Sequence, residues 1–143
     1  FCIYYPKKHT KAWIKSLRQC DNPHHSIRVV FSGEFDGNSN ASSIVYLIKN
    51  QVLITGDAPM KSEKLWTKTL PNKIKVLVLG HHGSRTSTSI KLLKKTKPDL
   101  AIASARKKKY GHPHKYVKYK LKKNGITLIT TEDQGNILMI ISN

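Results

Sequence analysis

Residues 76–89 read VLVLGHHGSRTSTS: four apolar residues, a glycine, two adjacent histidines, then hydroxyl-bearing residues around one arginine. A short unbroken apolar run that stops at a glycine reads as a strand buried on both faces. Behind it, Ser87 or Thr88 is placed to cap a helix running to about Lys95. Ile90, Leu92 and Leu93 give that helix an apolar side, and Pro98 closes it. Strand, polar loop and helix in succession are the building unit of an α/β sheet.

The same grammar extends outward. Upstream, residues 43–49 and 52–55 are β-rich runs separated by Asn50 and Gln51, which predicts a tight hairpin, and SIRVVFS at 26–32 predicts another strand. Trp13, Ile14 and Leu17 fall at helical spacing within 11–20. Between the hairpin and the opening stretch, Leu65, Trp66 and Leu70 predict a helix over 61–70, ended by Pro71. Downstream, 100–105 predicts a buried strand, and 115–123 a helix with Tyr116, Val117 and Leu121 as its stripe and Gly125 at its C-terminal cap. ITLITT, the turn EDQG and NILMIIS predict a closing hairpin. The fold class expected is α/β, a mixed sheet with flanking helices.

Composition sets the outer bounds. The 143 residues suit one domain or a large piece of one. Lys and Arg number 26 against 8 Asp and Glu, a formal net charge of +18, which suits a polyanionic partner and equally a solvated, lysine-rich surface. Three clusters follow the histidine loop: Lys91 to Lys97, Arg106 to Lys109, and Lys115 to Lys123. Cys2 and Cys20 are too few for a disulfide framework and lack the spacing of a zinc knuckle, so free thiols are expected. No apolar run approaches the roughly eighteen residues that cross a bilayer, and the first residues do not form a signal peptide; a soluble piece is expected, which leaves compartment and membrane attachment open. The opening FCIYYP reads as the end of an interior strand and its turn, as in a segment of a longer protein. A phosphate-binding loop ahead of a lysine and a G-x-S-x-G elbow are both missing, which argues against a P-loop nucleotide hydrolase and a serine nucleophile.

Three apolar strands run into unusual polar loops. VLIT leads to Gly56 and Asp57, VLVL to Gly80, His81 and His82, and LAIASA to Tyr110, Gly111 and His112. The carboxyl ends of strands in such sheets line the ligand crevice, so the three loops are expected to converge. A carboxylate and imidazoles gathered there suit a divalent metal such as zinc. Each also has an ordinary reading: Asp57 as the N-cap of the next helix, His81 or His82 as a hydrogen-bonded loop residue, His112 and His114 as a turn around a proline. His24 and His25 read as surface residues.

Taken in order, NASSIV at 40–45, LITGDA at 53–58, VLGHHGSRTSTS at 78–89 and PDLAIASARKKKYGHPH at 98–114 resemble the metallo-β-lactamase superfamily. Within it they are most similar to the hydrolase domain at the C-terminal end of ComEC DNA-uptake proteins, and TEDQGNI resembles that group's closing hairpin. The GHHGS and YGHP pair is closer to this group than to thioesterases or lactonases of the same superfamily. The resemblance implies the C-terminal half of an αββα sandwich and two divalent metal ions, zinc or manganese, in the complete domain. It makes Asp57 the bridging carboxylate and His112 a ligand of the second ion. His81 and His82 would stand beside the metals as catalytic groups, contacting a phosphoryl oxygen or protonating the leaving group, although either can instead be a ligand. Ser84, Arg85 and Tyr110 would bind substrate, a nucleic acid or other phosphodiester.

One departure matters: the superfamily's HxHxDH motif, which supplies most metal ligands, is absent. Upstream of NASSIV only His9, His24 and His25 occur, at the wrong spacings. The expectation is a single partial domain over 1–143 holding part of a two-metal site, with the missing half before Phe1 in what can be a membrane protein. The rival expectation is a degenerate, non-catalytic nucleic-acid-binding module.

Overall fold

The computed structural model describes residues 2–3, 18–19, 26–33, 40–106 and 110–141. The expectations for His9, His24, His25 and Cys20 lie outside these residues. The helix expected over 11–20 lies mostly outside them too, and its described part, Arg18–Gln19 (β2), is extended and pairs in parallel with Cys2–Ile3 (β1).

The main sheet has six strands in sequential order: β3 (Ile27–Ser32), β4 (Ile44–Ile48), β5 (Val52–Ile54), β6 (Val76–Val78), β7 (Leu100–Ala103) and β8 (Thr127–Thr130). The first three form an antiparallel meander and the last four run parallel, so the sheet is mixed, as expected. The predicted hairpin turn is present: Lys49 and Asn50 both adopt positive φ, 47° and 54°, and Gln51 N–H closes on the Ile48 carbonyl at 2.9 Å. Positive φ at both central residues gives the turn the hand that matches strand twist.

Alternation along the strands divides the core. Val45, Leu47, Leu53, Leu77, Ala101 and Ala103 face one side, where they pack with Trp66, Leu92, Leu93, Val117 and Leu121. These last residues come from α1 (Met60–Trp66), α2 (Ile90–Thr96) and α3 (Lys115–Lys123), so the helices cover that face. Val52, Val76 and Ile102 face the other way, with Ile48, Ile54, Val78, Leu100 and Ile129 around them. Apolar residues on both faces are what buried parallel strands require.

Two local expectations are revised. Ser89 caps α2, accepting the Leu92 N–H at 3.1 Å, while Ser87 and Thr88 are used elsewhere. The closing hairpin does not form. Glu132 and Asp133 instead sit in the first turn of a short helix, α4 (Thr131–Gln134), where carboxylates complement the helix dipole and Thr130 supplies the cap. The following segment lies over the second sheet face, placing Ile137, Met139 and Ile141 against it and leaving Leu138 and Ile140 exposed. The cap of α3 agrees with expectation, with Gly125 at φ 69°.

Candidate functional site

Strands β5, β6 and β7 are adjacent, parallel and in register at Ile54, Val78 and Ile102, so their carboxyl ends lie along one edge of the sheet. The loops after them are tied together by backbone hydrogen bonds. His81 N–H donates to the Gly56 carbonyl at 2.9 Å, joining the second loop to the first. His114 N–H donates to the Gly83 carbonyl at 2.9 Å, joining the second to the third. The convergence expected from the strand ends is therefore built into the main chain.

Residues 80–83 form a tight turn in which His81 (φ 48°, ψ 47°) and His82 (φ 57°, ψ 21°) are both left-handed. This backbone costs an L-residue roughly 1–2 kcal/mol, and strain of this kind accumulates at functional sites. At Gly83 (φ 81°) any side chain would strain the backbone and crowd the neighbouring loop, since a Cβ there would lie 2.8 Å from Pro113 Cβ. The imidazole turn and the His112–Pro113 segment thus pack main chain against ring.

The hydrogen bonds assign opposite tautomers to the paired histidines. His82 Nδ1 faces the Ser104 carbonyl, which can only accept, so Nδ1 carries the proton and Nε2 keeps its lone pair. His81 Nδ1 accepts a long hydrogen bond, 3.4 Å, from the Asn40 side-chain amide, which leaves the proton on Nε2. The His81 ring centre lies 6.3 Å from that of His82 and 6.0 Å from that of His112. His112 Nδ1 is buried and has no hydrogen-bond partner among the described residues. Burial, reinforced by His81, His82 and His114, holds the His112 imidazole below the usual histidine range, so it is neutral at pH 7.

The other predicted site residues divide. Tyr110 is exposed and, with His82, His112, Ser104, Arg106 and Thr131, lines a depression of about 250 Å³. Arg85 is exposed at the tip of the same loop as the histidines. Ser84 turns inward: it is 8% exposed and its Oγ contacts Thr86 Oγ1 at 3.1 Å, bracing the loop. Asp57 follows the Gly56 carbonyl that anchors His81, and its N–H donates to Ser43 Oγ at 3.1 Å. The cap position of α1 is Pro59, so Asp57 is not that helix's N-cap. His114, read from the sequence as part of a turn around a proline, instead caps α3, accepting the Tyr116 N–H at 3.2 Å.

Four further residues contribute here: Asn40 and Ser104, which lie within the NASSIV and LAIASA runs, and Glu63 and Lys120, whose burial the sequence does not signal. Glu63 and Lys120, each 2% exposed, fix the stretch after the histidines. The Glu63 carboxylate accepts from Thr88 N–H at 2.7 Å and Ser89 N–H at 2.8 Å. The Lys120 ammonium donates to the carbonyls of Ser87, at 3.3 Å, and Thr88. Ser87 Oγ in turn donates to the Gly80 carbonyl, immediately before His81. Two helices thereby hold the imidazole turn through one hydroxyl.

Among the described residues no three His, Cys, Asp or Glu side chains come together to hold a metal ion. The unpartnered His112 Nδ1 is a fitting donor, but Asp57 and His112 alone do not make a metal centre.

No protein-family profile matches the chain. Curated relatives do match. The chain is 42% identical to Recombination protein 2 of Haemophilus influenzae over 102 residues, 68% of the chain and 13% of that protein. It is 34% identical to ComE operon protein 3 of Bacillus subtilis over 105 residues, 70% of the chain and 14% of that protein. It is 37% identical to Competence protein ComA of Neisseria gonorrhoeae over 87 residues, 59% of the chain and 13% of that protein. The chain is similar to competence proteins. This fits the ComEC-like resemblance, and the chain spans only 13–14% of the length of these competence relatives. No helix among the described residues is long and apolar enough to cross a membrane.

Proposed function

We propose that the chain contributes the catalytic edge of a ComEC-like hydrolase that cleaves phosphodiesters in nucleic acid during DNA uptake. The observation that carries this reading is the placing of the His81 ring 6.3 Å from that of His82 and 6.0 Å from that of His112, at the ends of parallel strands. His82 Nε2 can accept the proton of a water attacking phosphorus, and the neutral His81 can offer its Nε2–H as a hydrogen bond to the oxygen that leaves as the P–O bond breaks, that oxygen then taking its proton from solvent. Arg85 and the lysines are suited to holding the phosphate backbone. Two divalent ions, zinc or manganese, would act in this reading as Lewis acids, and Asp57 and His112 would be two of their donors.

The test uses the full-length protein loaded with manganese or zinc and assayed on single- and double-stranded DNA. Asp57→Ala and His112→Ala are expected to lower both metal content and cleavage. Retention of both in folded variants overturns the site assignment.

A second reading, a non-catalytic nucleic-acid-binding module, is favoured by one observation: the described residues do not assemble a set of three metal donors. Undiminished DNA binding by a full-length protein that neither takes up metal nor cleaves would select it.

A further inference from the structure

We infer that the outward face of α3 is a track for single-stranded nucleic acid, with Tyr116 and Tyr119 stacking on bases and Lys115, Lys122 and Lys123 contacting phosphates. It rests on the reading of the partner as nucleic acid, but not on the reading of hydrolysis.

The helix KYVKYKLKK begins three residues after His112, so anything bound along it leads directly away from the imidazole cluster. Val117, Lys120 and Leu121 point inward and account for its packing. What remains outward is an alternation of aromatic and cationic side chains. Tyr116 is 45% and Tyr119 59% exposed, at an i, i+3 spacing that places them side by side. Both rings are held: the Lys120 ammonium lies 5.0 Å from the Tyr116 ring centre, and that of Lys123 6.0 Å from the Tyr119 ring centre. Lys120 is itself buried, so it steadies Tyr116 from the protein side while the ring stays open to solvent.

Two exposed aromatics among lysines discriminate between partners. Lysine is depleted from the cores of protein–protein interfaces, where aromatic residues otherwise favour such contacts. A duplex would use the lysines but leave the tyrosines idle, because its base faces are already stacked. Single strands use both, the lysines following the backbone and the rings receiving splayed bases. At the start of the helix, Lys115 and Lys118 also rim a hollow of about 410 Å³ floored by Gly111, Pro113 and His114, which gives a strand room between the site and the track.

Binding of labelled oligothymidylate and of a hairpin duplex to the full-length protein, measured by anisotropy with a chelator present to stop cleavage, tests this. Tyr116→Ala and Tyr119→Ala are expected to weaken single-strand binding by roughly 5- to 150-fold each, the effect of losing one base stack. Duplex binding should stay unchanged, and Tyr→Phe should restore single-strand binding. Lys115→Gln or Lys122→Gln should weaken both and reduce the log–log salt slope on single strands by about 0.7 per lost contact. Tyrosine variants with wild-type single-strand affinity, or with equal losses on duplex, overturn the track. Tyrosine-dependent single-strand binding by a protein that cleaves nothing when metal is restored would keep the track and overturn the hydrolysis alone, which separates failure of the track from failure of the activity.

Discussion

Glu63 and Lys120 grip the same residue, Thr88, by opposite poles of its backbone: the Glu63 carboxylate takes its N–H at 2.7 Å and the Lys120 ammonium takes its carbonyl. Thr88 has φ 59°, a left-handed conformation that a β-branched residue adopts only under outside constraint. Charge-assisted hydrogen bonds from two different helices supply that constraint. The loop that carries Arg85 and follows the histidines is thus shaped by residues outside it.

Removing either grip leaves a buried charge and freed peptide groups. Glu63→Gln and Lys120→Met are each expected to lower unfolding free energy by about 3–5 kcal/mol, the usual loss when one member of a buried charged set is deleted. Denaturant titration checks this. The double variant should lose less than the sum of the two, because both act on Thr88.

The Lys120 ammonium is also a pH probe. Burial lowers its pKa below the ordinary lysine value, with Glu63 partly opposing the shift. A lysine with a lowered folded pKa binds fewer protons folded than unfolded within the window from that lowered value up to about 10.4. Stability of the wild type relative to Lys120→Met should therefore be flat below the window and rise with pH through it. A relative stability that falls over this range contradicts the assignment.

Gly83 and Gly111 separate steric contact from backbone strain. Both have positive φ, 81° and 67°, but a Cβ at Gly83 meets Pro113 whereas one at Gly111 meets nothing within 4 Å. Gly111→Ala should cost about 1–2 kcal/mol from conformation alone. Gly83→Ala should cost about 1–3 kcal/mol more from overpacking, seen as a lower denaturation midpoint.

His81→Gly should uncouple stability from activity. Glycine relieves the left-handed strain, so stability should rise by up to about 1 kcal/mol against loss of one long hydrogen bond. Cleavage by the full-length protein should fall by roughly 10²–10³, the scale of one lost hydrogen-bond donor to developing charge. Unchanged cleavage would remove His81 from the mechanism.

Strand positions were legible because apolar runs such as VLVL and LAIA end sharply at glycine or polar residues. Their adjacency was legible because parallel strands place their carboxyl ends together. Capping was less so: in TSTS at 86–89 every residue can cap α2, and only the capture of Thr88 and Ser89 N–H by Glu63 decides for Ser89. The final hairpin was misread because alternation in NILMIIS fits any extended segment lying on an apolar surface, paired or not. Asp57, His81, His82 and His112 could be named from the loops, but Glu63 and Lys120 look like two more charges on lysine-rich helices. Their burial is a property of how those helices meet.

The contact between Gly83 and Pro113 makes the imidazole turn and the His112 loop one mechanical body. With the His114 N–H bond to the Gly83 carbonyl, it fixes the spacing between the two loops at the main chain, so the imidazoles answer to one another through backbone rather than through side-chain contacts.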